Sequence, residues 1–358
     1  MEATNATERI PTRAGIGEGA LDRISWVAQV LGGGALGLVV LGPLAVIASH
    51  GFVPSESIAA GITSSVTGGL ALIGIIVGTG AIILGFGVYG RMPTKASRER
   101  SISGAVLGIQ AVLLAIVLLW FRAGDPERFS FHFFNFEKLE GYAGAFLNAA
   151  KNTVILAFAG EAGGILLGLV LAILAISSRP VVRAPARVYI NFFRGTPLIW
   201  QLSTIYFLFL FGFQLKLDTF VVAMIVFALN TAAYAAEVFR AGIQSVERAQ
   251  MEAARSLGMS YLQAMRYAIV PQAFRRVIPP LTNEFVILIK DTSLVIALGL
   301  STNQLELYNL ARQGYSDTFN ATFFLAAALG YLAITLPLIR AVNALERRLR
   351  SGLVGVGA

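Results

Sequence analysis

The sequence predicts an all-α integral membrane protein with eight transmembrane helices, and three observations predict it. Of 358 residues 56% are hydrophobic and only 13% are charged, about half the charge of an ordinary soluble domain. Apolar stretches long enough to cross ~30 Å of hydrocarbon, about 20 helical residues, occur at 26–49, 66–89, 102–121, 153–176, 281–300 and 321–345. Two shorter ones, 198–213 and 219–236, complete the eight. Finally, with the N-terminus inside, most of the 28 Lys and Arg fall on the cytoplasmic side, against six outside: Arg122, Arg128, Lys138, Lys151, Lys216 and Arg312. The positive-inside rule therefore accounts for the net charge of +8 without a nucleic-acid partner.

Taken in order, residues 1–25 are polar and mixed in charge and lack the basic start, apolar run and cleavage site of a signal peptide, so they are expected to form a cytoplasmic segment. Residues 26–121 form a glycine-rich three-helix membrane region with no ionisable residue inside its spans between Trp26 and Val88, His50 and Glu56 lying in the connection between the first two. Its glycines permit close helix packing in lipid, as an accessory bundle for packing or assembly. Residues 122–145 mix charges with five Phe and read as an extracytoplasmic linker with aromatics at headgroup level. Residues 146–346 hold five further spans, and 347–358 form a cytoplasmic tail.

Within the second region, 237–280 is amphipathic and basic between two apolar segments and should be a cytoplasmic elbow. Ser245 is expected to cap a first helix, with Glu247 in its positive first turn and Gly258 as the left-handed residue past its end. Ser260 and Gln263 have capping-box spacing for a second helix, which Pro271 is expected to stop. Ala253 and Ala254 would let a partner approach closely, with Glu252 and Arg255 polar beside them.

Several chemistries are excluded or unsupported. There are no cysteines, hence no disulfide, thiolate metal site or cysteine nucleophile. His50 and His132 lie near outer membrane edges and read as interfacial residues rather than ligands. A phosphate-cradling loop needs Gly-Lys-Ser/Thr, but Lys95, Lys138, Lys151, Lys216 and Lys290 never follow Gly. Any ATP that drives this protein must be bound by another subunit.

Glu252, Ala253, Ala254, Gly258 and Pro271 resemble, in identity and spacing, the EAA loop of the integral membrane subunits of binding-protein-dependent ABC importers. FFRGTPL (192–198), NTAAYAAEVFRAGIQSV (230–246), PQAFRRVIPPLTNEF (271–285) and LIKDTSL (288–294) look like the polar amino acid branch of that family. The resemblance covers roughly 140–350. It implies a five-helix type I importer core preceded by three extra helices, in a bacterial inner membrane with both termini cytoplasmic. A dimer of ABC ATPase subunits, carrying ATP and Mg, would couple through Glu252, Ala253, Ala254, Arg255, Gly258 and Met259. The other implied partners are a second permease copy or paralogue, an extracytoplasmic amino-acid-binding protein and the amino acid itself. The chain would then be a transport subunit with no cofactor of its own, and Arg194, Gly195, Thr196 and Pro197 would form an inner gate or hinge.

Ionisable groups inside spans are costly and usually face a cavity or a partner. Glu161, Glu284, Lys290 and Asp291 are such groups, and an amino acid cargo needs both signs or fixed dipoles along its path. Glu284, Ile287 and Asp291 share one helix side, while Lys290 follows Asn283. Thr292 and Ser293 can bond back to carbonyls and bend the helix. Bracing between spans is the alternative for Lys290 and Asp291. Glu161, flanked by Gly160, Gly163 and Gly164, departs from the family pattern; it either holds a substrate ammonium or pairs with a Lys or Arg of another span. Asn230, Tyr234 and Glu237 share one face of the sixth span and either line the pathway or pack between spans. A secondary transporter running on an ion gradient through Glu161, Glu284 and Asp291 is the competing reading. It would call for inverted repeats, and no repeat is evident.

Overall fold

The computed structural model describes residues 18–49, 54–246 and 248–351, so His50, Glu247, residues 1–17 and the tail beyond 351 lie outside the described residues. Every regular element among the described residues is helical. The chain divides into two compact units, Met1–Phe136 and Glu137–Ala358.

The first unit contains α1 (Glu18–Ser49), α2 (Pro54–Thr63), α3 (Ser65–Tyr89), α4 (Lys95–Ala123) and α5 (Pro126–Phe133). Small residues set how closely α1, α3 and α4 approach. A Cβ on Gly32 would lie 2.2 Å from the Gly104 carbonyl oxygen, and one on Gly108 would lie 2.5 Å from that of Gly78. Ser101 adds a hydrogen bond of 2.7 Å to the Gly85 carbonyl between α4 and α3. Arg100 pairs with Asp22 at 2.6 Å. Arg122 donates to the Thr63 carbonyl, at the end of α2, and at 2.6 Å to that of Ser64, which also accepts from the Gly68 N–H at the start of α3.

The second unit contains α6 (Ala143–Ala175), α7 (Pro180–Gly195), α8 (Leu198–Phe207), α9 (Thr219–Gln244), α10 (Arg248–Ser256), α11 (Tyr261–Ala264), α12 (Val270–Asp291), α13 (Leu307–Thr318) and α14 (Thr322–Ser351). Its core is the contact of α6 with α9. Gly160, Gly164 and Gly168 recur at every fourth position, and Cβ atoms on them would lie 2.6, 2.5 and 2.7 Å from the Cβ atoms of Phe227, Thr231 and Ala235. A groove of this kind lets two spans touch along their backbones. The space beside the glycines that flank Glu161 is therefore filled by α9.

Among the described residues six helices are long and apolar enough to cross a membrane: α1, α3, α4, α6, α9 and α14. The protein is thus multi-pass, and six of the eight expected spans are met as single apolar helices. The stretch at 198–213 is α8 with the π segment Leu208–Gly212 that continues it, and it passes the same test only together with α7, as one broken span bent by 110°. The stretch at 281–300 lies in α12, which carries Arg275, Arg276, Glu284, Lys290 and Asp291, and in the 3-10 segment Thr292–Ala297. Charge dilutes its apolar run.

Candidate functional site

Three features of the second unit bear on function: the break between α7 and α8, a cavity beside it, and the elbow after α9. The break follows from Thr196-Pro197. A residue before proline is pushed out of the helical region, and Thr196 is extended at φ −115°, ψ 146°, with Pro197 at φ −64°, ψ 136°. Pro197 is thus the residue that immediately precedes α8. Gln201, fully buried, reaches back across the break. Its amide N–H groups donate to the carbonyls of Phe193 (2.8 Å) and Thr196 (3.0 Å) and to the Thr196 hydroxyl (2.8 Å). Its oxygen accepts from Asn230 Nδ2 at 2.9 Å. Sequence reasoning passed over Gln201, although a lone amide in the apolar run LIWQLS is a signal that it meets polar backbone.

The cavity has a volume of about 240 Å³ and is lined by Thr196, Leu198, Asn230, Thr231, Tyr234, Glu284, Ile287, Leu288 and Asp291. Thr196, Asn230, Tyr234, Glu284 and Asp291 of the expected pathway and gate residues therefore come together. The i, i+3, i+7 spacing of Glu284, Ile287 and Asp291 puts them on the side of α12 that faces α9. Arg194 stands over the Tyr234 ring at 5.7 Å, close enough to attract the Glu284 carboxylate. Two carboxylates thus line the cavity, and Arg194 stands beside its Tyr234 wall without lining it. Gly195, exposed at the end of α7, does not line it.

The remaining candidates lie elsewhere. Lys290 is exposed, and Asn283 lines a different cavity, of about 420 Å³, with Arg275, Arg276 and Glu346. Thr292 and Ser293 donate back to the carbonyls of Ile289 and Lys290, both at 2.8 Å, where α12 tightens into the 3-10 segment. Neither lines the cavity. Glu237 is paired with Arg240 and does not line the cavity. Glu161, 6% exposed, lines a third cavity of about 250 Å³ with Thr282 and Phe285. Neither of its oxygens has a hydrogen-bond partner, and one Glu284 oxygen is likewise unpartnered. No Lys or Arg pairs with Glu161 among the described residues.

In the elbow, Ser245 ends α9 instead of starting the next helix: its N–H bonds to Ala241 and its hydroxyl donates to the Gly242 carbonyl at 2.7 Å. The helix α10 closes with Gly258 at φ +82°. Its N–H donates to the Arg255 carbonyl at 3.0 Å and that of Met259 to Ala254 at 3.2 Å, the double bond pattern of a left-handed helix stop. The Ser260–Gln263 capping box forms, with bonds of 2.8 and 3.2 Å. Pro271 does not stop the second helix. A π segment, Met265–Ile269, joins α11 to α12, and Pro271 falls in the first turn of α12, where its missing N–H is tolerated. Ala254 is buried within the elbow, so of the small pair only Ala253 is exposed, beside Glu252, Arg255 and Leu257. Met259 is partly buried.

A family model described as binding-protein-dependent transport system inner membrane component matches residues 164–351, more than half of the chain. The arginine transport system permease protein ArgU of Corynebacterium glutamicum is 38% identical over 217 residues, 57% of this chain and 68% of that protein. The glutamine transport system permease protein GlnP of Escherichia coli is 36% identical over 209 residues, 57% of this chain and 92% of that protein. A crystal structure of an amino acid ABC transporter with histidines superposes with a TM-score of 0.56 at 36% identity, covering 60% of this chain and 98% of that one. An inward-facing MetNI methionine ABC transporter shares the fold at 17% identity and a TM-score of 0.51, over 59% of this chain and 98% of that one. With the broken α7–α8 helix, the elbow and the cavity inside the matched region, the chain belongs to the family of binding-protein-dependent transport system inner membrane components.

Proposed function

We propose that the chain is the permease subunit of an ATP-driven ABC importer that moves polar amino acids across the bacterial cytoplasmic membrane, with both termini cytoplasmic. Two ATPase subunits, holding ATP and Mg, would dock on the elbows through Glu252, Ala253, Arg255, Gly258 and Met259, with Ala254 shaping that surface from beneath. A second copy or a paralogue would complete the pathway, and an extracytoplasmic binding protein would deliver the amino acid. The observation that carries this reading is one of continuity. Residues 261–291 run as helix without interruption from the capping box at Ser260, through the π segment, to Glu284 and Asp291 in the cavity.

A force on the elbow would thus have an unbroken helical path to the cavity, one that can bend at the π segment and at Pro279-Pro280. Nucleotide-driven closure of the ATPases would draw the elbows together, swing α12, and turn an inward-open cavity outward; this requires ATP to bind the two states with different affinity. Arg194 and the carboxylates of Glu284 and Asp291 would meet the two charges of the cargo, with Asn230, Tyr234 and Thr196 as neutral hydrogen-bonding groups. Glu161 would lie beside this path. Lys290, Asn283, Thr292 and Ser293 would shape α12 from outside the cavity.

The test is uptake into proteoliposomes holding the chain, its ATPase and its binding protein. Uptake is expected to stop when ATP is replaced by a non-hydrolysable analogue and to survive a protonophore. The reverse pattern would overturn the importer reading in favour of ion-coupled transport.

A further inference from the structure

We propose that Gln201 is a positioning residue that couples occupancy of the cavity to the angle of the α7–α8 bend. The inference rests on the permease reading and goes beyond it, to how the cargo is sensed. One fully buried side chain holds both halves of the break and a third helix at once. Its N–H groups bond to Phe193 and Thr196 at the end of α7, and its own backbone belongs to α8. Its oxygen takes the amide of Asn230 on α9, a residue that lines the cavity.

Opening the bend pulls the Gln201 N–H groups from their acceptors in an apolar setting, where unpaired donors are costly. A cargo that takes the Asn230 N–H now given to Gln201 removes the partner of the Gln201 oxygen. Each event weakens the arrangement that the other depends on, so the network has two self-consistent states and few between. A nearby bond supplies an internal control. Tyr189 on α7 donates to the Leu229 carbonyl of α9 at 2.8 Å, tying α7 to α9 without touching Thr196, Gln201 or the cavity.

The chain has no cysteine, and a Cβ on exposed Gly195 meets nothing within 4 Å. Gly195→Cys therefore reports the opening of the break by its rate of reaction with a membrane-impermeant maleimide. Gln201→Met is expected to raise that rate several-fold. With the ATPase and binding protein, it should lower amino acid uptake per ATP hydrolysed about tenfold, the scale of losing one buried hydrogen-bond network. Tyr189→Phe should change neither quantity. If Gln201→Met accumulates poorly, Gln201→Glu keeps the size and the acceptor for Asn230 while removing the donors, and the same rise in labelling is expected. Unchanged labelling in both Gln201 variants, or an equal effect of Tyr189→Phe, overturns the proposal. Absence of ATP-driven uptake by the unsubstituted chain overturns the permease reading instead, while the labelling rate judges the bend by itself.

Discussion

Tyr331, on α14, donates its hydroxyl hydrogen bond to the carboxylate of Glu306 at the start of α13. The same carboxylate accepts from the N–H groups of Tyr308 (3.0 Å) and Asn309 (2.7 Å), so one fully buried acid both caps α13 and fixes it to the last span. Burial raises the pKa of this carboxyl group, and the three hydrogen bonds oppose that shift.

Tyr331→Phe takes one donor from that acid and leaves its volume enclosed. The expected cost is about 1–2 kcal/mol, read as a lower midpoint in thermal unfolding of the detergent-solubilised protein. Glu306→Ala, which strips the cap as well, should cost more. Equal midpoints for Tyr331→Phe and the parent would mean that the bond contributes nothing.

Gly258→Val puts a β-branched side chain at φ +82°, a conformation that costs an L residue roughly 1–2 kcal/mol. The elbow is displaced while the spans, which do not contact this residue, still insert. Loss of ATPase co-purification with normal membrane insertion is the expected result. Retained co-purification would count against docking at this turn.

Gly164→Val would force a Cβ to within 2.5 Å of Thr231 and 3.2 Å of the Ala232 nitrogen, so α6 must move off α9. Overpacking of this kind costs about 1–3 kcal/mol and should appear as a lower unfolding midpoint. Gly144→Ala, in open space on the same helix, is the matched control and should be neutral or slightly stabilising.

The parts of this fold legible in the sequence were those decided by local chemistry. Six of the eight expected spans are single apolar helices because length and hydropathy suffice to specify them. Gly258 and the Ser260–Gln263 pair behave as their neighbours dictate. Ser245 was ambiguous because a serine at a helix boundary can cap the next helix or bond back into the one before, and α9 runs on to Gln244 and takes it. Pro271 suits a helix stop and a helix first turn equally, and only the π segment decides between them. The glycines beside Glu161 can make room for a ligand or for a helix, and the side chains that fill them lie more than sixty residues away on α9. Gln201 was missed because its partners straddle a break whose angle no local pattern states.

Glu161 carries the last prediction. A carboxyl group 6% exposed, with both oxygens unpartnered, in range of a second acid at Glu284, is an expensive arrangement inside a span. A hydrophobic replacement would fill the site, so Glu161→Leu should raise the unfolding midpoint by the removal of an unpaired polar group, about 1–3 kcal/mol. On the importer reading, the acid is retained for its attraction to a positive charge that passes close by in Glu284's cavity. Glu161→Gln keeps the shape and can never ionise in answer to a passing cation; it should therefore slow uptake of an amino acid with a cationic side chain and spare a neutral polar one delivered by the same binding protein. If both cargoes slow alike, Glu161 does not select by charge. If Glu161→Leu is more stable and transports both cargoes normally, the acid lies outside the pathway, and the charges that meet the cargo are Glu284, Asp291 and Arg194 alone.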